Sequence, residues 1–423
     1  MTRLQRVLNA IDEQRETMLG LLAGLISIPS VSGSSDENEA IAHMARLYHH
    51  YGFEVDHWQI PLVEVMARDD FPGVEVEREE AWGVVARRPG RGTRAGRSLL
   101  LNGHVDVVPP GSVDAWTTTP FDPRIAGGHM FGRGSCDMKA GVVASLWAAE
   151  AIRQAGVTLD GDLLLTAVLG EEDGGLGTYA TLARGWRADA CVIPEPTNLD
   201  MVPGNAGALT FRLVVPGLAT HASRRTEGVS AIEKFIPLFR ALEHLEVARN
   251  AAVTSTNAQF ALAYPISIGT VVAGDWASSV PDLLVANGRL GVALDEPIDD
   301  ARRVLERAIA EACDADPWLR QHPARVEWWG GQFASGKLAA TSDLLERTMA
   351  AHSTVSDTTP GSWIAPYGSD LRLMTDIGGV PTLHYGPGDV ASAHGPDESV
   401  PLEQVITTAR TLATLALDLC VVV

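Results

Sequence analysis

The sequence predicts an α/β protein: a doubly wound sheet domain interrupted by an inserted ferredoxin-like α+β domain. Three observations carry this reading. Short apolar runs that stop at glycine or proline alternate with helical stretches up to about residue 200, the pattern of βα units whose sites gather beyond the strand ends. From about Ala208 the texture changes to alternating apolar and polar residues, the mark of half-exposed strands. Finally, 423 residues are more than one core usually organises, so two domains are expected.

Met1–Arg6 leads into an amphipathic helix with Leu4, Val7, Leu8 and Ile11 on one face. It has no apolar core or small-residue cleavage site of a signal peptide. The Arg- and Gly-rich stretch Arg87–Arg97 reads as an exposed loop or hairpin rather than a nucleic-acid patch. Ser98–Leu101 reads as a buried strand leading to His104, Met138–Gly156 as a helix, and Leu163–Leu169 and Cys191–Ile193 as two further buried strands. Within the insertion, Leu209–Val215, Leu283–Leu294 and Arg325–Trp329 read as strands, and Gly228–Leu245 and Asp299–Cys313 as helices. Their order resembles a strand-helix-strand-strand-helix-strand unit. The expected division is therefore 1–207 and 332–423 for the sheet domain and 208–331 for the insertion.

Composition narrows the class. With 46% apolar and 20% charged residues, nothing calls for disorder, and no apolar run reaches the roughly 20 residues of a membrane span. Net charge is −20, from 33 basic and 53 acidic residues, which argues against a nucleic-acid partner. Cys136, Cys191, Cys313 and Cys420 are widely spaced, so a disulfide framework is not expected and a reducing cytoplasm is the simplest location.

The chemistry-bearing residues sit just past the predicted strands. His104 and Asp106 occur in Gly103-His104-Val105-Asp106, and Asp137 in Gly132-Arg133-Gly134-Ser135-Cys136-Asp137-Met138-Lys139. Glu171-Glu172 precede Asp173-Gly174-Gly175, Glu195 stands between two prolines, and His394 lies in Ala393-His394-Gly395-Pro396-Asp397-Glu398. Singly, each has an ordinary reading: a hydrogen-bonded buried histidine, a helix N-cap at Asp137, a solvated acidic loop at Glu171-Glu172. Together they supply imidazoles and carboxylates for two divalent metals, with one carboxylate to spare as a base. Asp106, two residues from His104, can reach its imidazole and fix its tautomer.

In this order, these motifs make the chain resemble the M20 metallopeptidase family, the group of acetylornithine deacetylase, succinyl-diaminopimelate desuccinylase, aminoacylase-1 and carboxypeptidase G2. The matching segments, with Pro194-Glu195-Pro196-Thr197 among them, run through nearly the whole chain. The resemblance implies that Asp137 bridges two metals, that His104 and Glu195 hold one and that Glu172 and His394 hold the other. Zinc is the first expectation, with cobalt and manganese admitted. It implies that Asp106 orients His104, and that Glu171 is the general base in hydrolysis of a small N-acyl amino acid or related amide. It also implies that His221 stabilises the oxyanion, from the partner subunit of a homodimer formed through the inserted domain. Arg289 and Arg372 are candidate carboxylate clamps, and Gly386 a backbone wall near the substrate. Glu398 and Asp370 are candidates to neutralise those arginines. Cys136 reads as a packed neutral thiol. Ser278-Ser279 before Val280-Pro281, and a short interval from Pro281 to Arg289, depart from the family pattern and bear on the inserted domain only. Dipeptidase, deformylase and carbamoylase activities, or an inactive binding protein on the same fold, are the alternatives.

Overall fold

The computed structural model describes residues 1–92, 96–251, 253 and 260–420, so residues 93–95 of the Arg/Gly-rich loop lie outside the described residues. The chain divides into two compact units: Met1–Gly204 with Lys337–Trp363 and Ser369–Val423, and Asn205–Gly336 with Ile364–Gly368.

The first unit opens with helices α1 (Arg3–Glu13), α2 (Arg15–Ile26) and α3 (Ser35–His50). Thr2 caps α1 by accepting the Gln5 amide at 3.1 Å, and Val7, Ala10 and Ile11 form its buried stripe. Strands β1 (Glu54–Gln59), β2 (Trp82–Arg88) and β3 (Leu99–His104) follow, then α4 (Ala140–Gln154), β4 (Leu163–Val168), α5 (Leu176–Ala183) and β5 (Ala190–Ile193). After the second unit the chain adds α8 (Leu344–Val355), β10 (Thr382–His384) and α9 (Leu402–Leu419).

The strands form one sheet in the order β1-β2-β4-β3-β5-β10. It is mixed: β4, β3, β5 and β10 run parallel, and β2 and β1 extend one edge antiparallel. Helices cover both faces, as adjacent residues of β3 demonstrate. Asn102 hydrogen-bonds Thr178 of α5 at 3.2 Å, whereas a Cβ on Gly103 would meet Val142 of α4 at 2.8 Å. Successive strand residues face opposite ways, so α4 and α5 lie on opposite sides. Every residue of β3, β4 and β5 is buried, which is why these strands read as continuous apolar runs. A second, three-stranded antiparallel sheet pairs Arg124–Ala126 with His129–Phe131 and the latter with Ser399–Pro401, bringing the late polar segment against the turn before α4.

The second unit is a βαββαβ arrangement of β6 (Gly207–Pro216), α6 (Ala231–Asn250), β7 (Ile266–Ala273), β8 (Leu283–Val292), α7 (Ile298–Ala315) and β9 (Arg325–Phe333). Its antiparallel sheet has the order β7-β8-β6-β9. Strand β7, which the sequence reading of this unit did not mark, is a largely exposed edge strand with a bulge between Ile268 and Thr270. The short return 364–368 joins this unit because Ala365 accepts the Ala206 amide at 2.7 Å. Among the described residues, no helix is long and apolar enough to cross a membrane. All four cysteines are buried and unpaired.

Candidate metal centre

The parallel register of β3, β4 and β5 decides what meets at their C-terminal ends. His104 closes β3 opposite Val168, so Glu171-Glu172 emerge one turn beyond it. Leu101 faces Val192, and counting three residues along each strand sets His104 beside Glu195. The start of α4 is drawn in as well. A Cβ on Gly141 would lie 2.1 Å from the Pro194 carbonyl oxygen, so only glycine lets helix and strand end approach this closely. The helix begins at Ala140 with Lys139 at its N-cap position and no side-chain cap. Asp137 is therefore not the N-cap: it stands in the irregular turn before the helix, with its carboxylate free to face the sheet end.

That carboxylate lies between two imidazoles. Asp137 Oδ1 is 3.1 Å from His104 Nε2, and Oδ2 is 3.4 Å from His394 Nε2. Glu195 Oε1 stands 3.9 Å from the same His104 nitrogen, and Glu172 stands 3.2 Å from His394 Nε2. Ligand atoms of His104, Asp137 and Glu172 all fall within 4.8 Å of one another. His104 is 1% exposed, whereas the His394 side chain is 53% exposed, so the centre is sealed on one side and open on the other.

Asp106 holds this arrangement differently from the sequence expectation. The His104 Nδ1–H donates to the Asp106 main-chain carbonyl at 2.9 Å, and the carboxylate stands 3.7 Å away. The carboxylate instead accepts the backbone amides of Glu171 and Glu172, each at 3.2 Å, and the Ser32 hydroxyl at 3.0 Å. Asp106 thus orients the imidazole through its backbone and the acidic pair through its side chain. Asp173 continues the same turn in an ion-pair network with Arg78 and Glu37.

The electrostatics follow from crowding acids in a dry place. Burial pushes the Glu171 carboxyl well above its ordinary range; His104 opposes this, and Asp370, Glu195 and Glu172 add to it. Burial likewise raises Glu195 and Asp106. Burial would also raise Asp137, but the hydrogen bonds from His104 and His394 outweigh it and hold that carboxyl far below normal. For His104, burial alone would lower the pKa, yet Asp137, Glu195 and Asp106 lift it well above normal. His394 is pushed up to about 11, first by Glu172. A pocket that stabilises positive charge on both imidazoles is one whose potential favours cations, and its mixed imidazole and carboxylate donors fit borderline divalent metals. Burial raises the Cys136 thiol well above normal, consistent with a neutral packed group.

The other marked residues have different surroundings. Arg372 is 3% exposed and donates to the main-chain carbonyls of Ser369 (2.6 Å) and Gly174 (2.8 Å). The second of these bonds braces the Glu171–Gly175 turn. Gly386 packs against the Pro194–Glu195 backbone, where a Cβ would meet the two carbonyl oxygens at 2.4 and 2.5 Å. It lets two chain segments approach closely at the turn that carries Glu195. Glu398 pairs with Arg133 at 2.6 Å. His221 and Arg289 belong to the second unit. His221 is exposed and shares a 2.8 Å hydrogen bond with Ser223; Arg289, half-buried on β8, lies 5.5 Å over the Phe333 ring. Sequence reasoning passed over Arg78 and Arg133 altogether. The only available signal for Arg133 was its place inside the Asp137 motif.

With the geometry established, comparison with known proteins defines the class. Residues 100–418 match Peptidase family M20/M25/M40, and the chain belongs to that family. It is a metal-dependent hydrolase of amide bonds. It is 27% identical over 99% of its length to an N-formyl-4-amino-5-aminomethyl-2-methylpyrimidine deformylase of Halalkalibacterium halodurans, covering 97% of that protein. It is 41% identical over 33% of its length to a succinyl-diaminopimelate desuccinylase of Gluconacetobacter diazotrophicus, covering 39% of that chain. Its fold is similar to the solved structure of the di-peptidase Dug1p of Saccharomyces cerevisiae, with a TM-score of 0.76, 16% identity and 98% of each chain covered.

Proposed function

We propose that the protein hydrolyses a small N-formyl or N-acyl amide whose amine half carries a compact polar ring, at a two-metal centre held by His104, Asp137, Glu172, Glu195 and His394. The observation that carries this reading is Asp137, whose two oxygens each face a different imidazole, with Glu195 on one side and Glu172 on the other. His104 and Glu195 would hold one metal, Glu172 and His394 the other, and Asp137 both. Zinc is the first choice, with cobalt or manganese as substitutes. Bound there, the metals supply Lewis-acid polarisation of the scissile carbonyl and acidify the attacking water.

The remaining work belongs to the chain. Glu171, buried beside the proposed ligands, is the carboxylate left over to serve as general base. It takes a proton from water as the new C–O bond forms and returns it to the amine as the C–N bond breaks. Asp106 keeps that carboxylate aimed by gripping the Glu171 and Glu172 amides. For the substrate, the full-length similarity to an N-formyl-pyrimidine deformylase favours a neutral ring.

The reading extends to the second unit as a lid and dimerisation domain, with His221 stabilising the oxyanion from the partner subunit. Exposed Ile232, Ile236 and Phe239 along α6, and Val271 and Val272 on the β7 edge, support a self-association surface. Four reduced, buried cysteines suit a cytoplasmic location.

The test uses N-formyl aminomethylpyrimidine, N-acetyl amino acids and their amides as substrates for the zinc-loaded protein and for Glu171→Gln. A variant that retains two metals yet loses 10²–10⁴-fold in kcat, the usual contribution of a positioned base, supports the assignment. Undiminished turnover in the variant removes Glu171 as base, and a wild-type chain that binds no metal removes the centre.

A further inference from the structure

The ion pair between Glu398 and Arg133 lies behind the centre, and the reaction as described makes no use of it. Both side chains are 1% exposed. The Glu398 carboxylate accepts from Arg133 Nη1 at 2.6 Å and from the backbone amides of Gly134 (3.0 Å), Cys136 (2.9 Å) and Asp137 (3.0 Å). Four donors fill the acceptor capacity of an ionised carboxylate, so Glu398 has nothing left for a substrate. Its main-chain carbonyl accepts the Gly132 amide at 2.9 Å and the Ser135 hydroxyl at 3.3 Å. The whole turn that presents Asp137 is therefore strung on this one residue.

Arg133 carries the connection further. Its Nη2 donates to the His394 carbonyl at 3.3 Å and, at a longer 3.5 Å, to the Pro109 carbonyl in the loop that follows His104 and Asp106. The guanidinium also lies 5.1 Å over the Trp116 ring. His394 needs such a grip because its φ is +61°, a left-handed conformation disfavoured for a non-glycine residue. It persists only where the surroundings over-determine it.

We infer that Glu398, through Arg133, is a positioning residue that sets the separation of Asp137 from His394 and thereby the affinity of the Glu172/His394 half of the metal centre. The inference rests on the ligand set proposed above. In Glu398→Gln an amide NH₂ must face donors on one side, so two of the four hydrogen bonds are lost and Arg133 is left as an unpaired buried charge. Groups that orient metal ligands typically change metal affinity 10–100-fold when mutated.

The experiment measures zinc stoichiometry and dissociation constants by chelator competition on the full chain. It also records the melting temperature of each metal-free protein. The proteins are wild type, Glu398→Gln, and the double variant Arg133→Met/Glu398→Gln, in which Arg133 no longer stands as an uncompensated buried charge. The expected result is that the weaker zinc site loses 10–100-fold in affinity in both variants, while the double variant regains most of the metal-free melting temperature. The visible spectrum of the Co²⁺-loaded variants should change in the same proteins. The inference is overturned if the variants bind two zinc ions within twofold of wild-type affinity. It is also overturned if affinity and metal-free stability recover together in the double variant, which would make the pair a fold element only. A wild-type chain that binds no zinc would instead overturn the ligand set itself.

Discussion

Replacing Arg78 by methionine should damage both the fold and the centre, and the structure gives the size of the effect. Arg78 is 4% exposed on its side chain and lies between two carboxylates that are equally sealed, Glu37 and Asp173. It makes four charged hydrogen bonds: two of 2.8 Å to Glu37, and two of 2.9 and 3.0 Å to Asp173. At about 1.5–3 kcal/mol each the gross loss is roughly 6–12 kcal/mol. Water entry and protonation of Glu37 relieve part of it, which leaves about 3–5 kcal/mol, the usual cost of removing one partner from a buried pair. For a unit of this size, that corresponds to a fall in melting temperature of roughly 5–8 °C.

The pH dependence has a definite sign. Burial raises the Glu37 carboxyl to about 7 from an ordinary 4.5, against the pull of Arg78. Between those values the folded state binds the proton and the unfolded state does not, so this group's contribution is present at low pH and is lost as pH rises through 7. Without Arg78 the carboxyl rises further. The variant's deficit should therefore be greatest near pH 8 and narrow towards pH 5. Because Asp173 continues the turn that carries Glu171 and Glu172, kcat should fall even at temperatures where the variant is folded. Calorimetry and turnover at pH 5, 6.5 and 8 provide the check. A melting temperature within about 1 °C of wild type, or a deficit that grows on acidification, would refute the reasoning.

Four further outcomes are expected. Gly20→Ala and Gly24→Ala, both within α2 with nothing within 4 Å of an added Cβ, should each stabilise by about 0.5–1 kcal/mol in denaturant unfolding. Gly141→Ala places a methyl 2.1 Å from the Pro194 carbonyl, so it should destabilise by at least ~1–3 kcal/mol and weaken zinc binding by displacing Glu195, as read by metal titration. His384 is buried and its pKa is pushed down to about 3. As pH falls from about 6.5 towards 3, only the unfolded chain takes up its proton, which costs about 1.4 kcal/mol per pH unit. His384→Gln should flatten that acid slope by one proton in unfolding curves at pH 4.5, 5.5 and 6.5. Zinc at 100 times its dissociation constant should stabilise the wild type by about 2.7 kcal/mol and a His394→Ala variant by less, as measured by melting temperature.

Local pattern already marked where the candidate ligands leave their strands. Buried parallel strands need unbroken apolar runs and stop at glycine or proline, so the positions of His104, Glu171-Glu172 and Glu195 just past such runs were legible from local pattern alone. The same reasoning marked the motif around Asp137 and the polar, glycine-rich segment around His394. How these groups face one another came only with the folded chain. The register of β3 against β4 and β5 sets His104 beside Glu195, and the glycine contact at Gly141 admits Asp137 between the imidazoles. The charged partnerships were also beyond reach. Arg372 ends on main-chain carbonyls, and Glu398 meets Arg133 from 265 residues away, while nothing in their local sequence names those partners. Periodicity encodes which face of an element is buried. A charged group's partner depends on which distant backbone the packing brings within about 3 Å, and that is a property of the assembled chain.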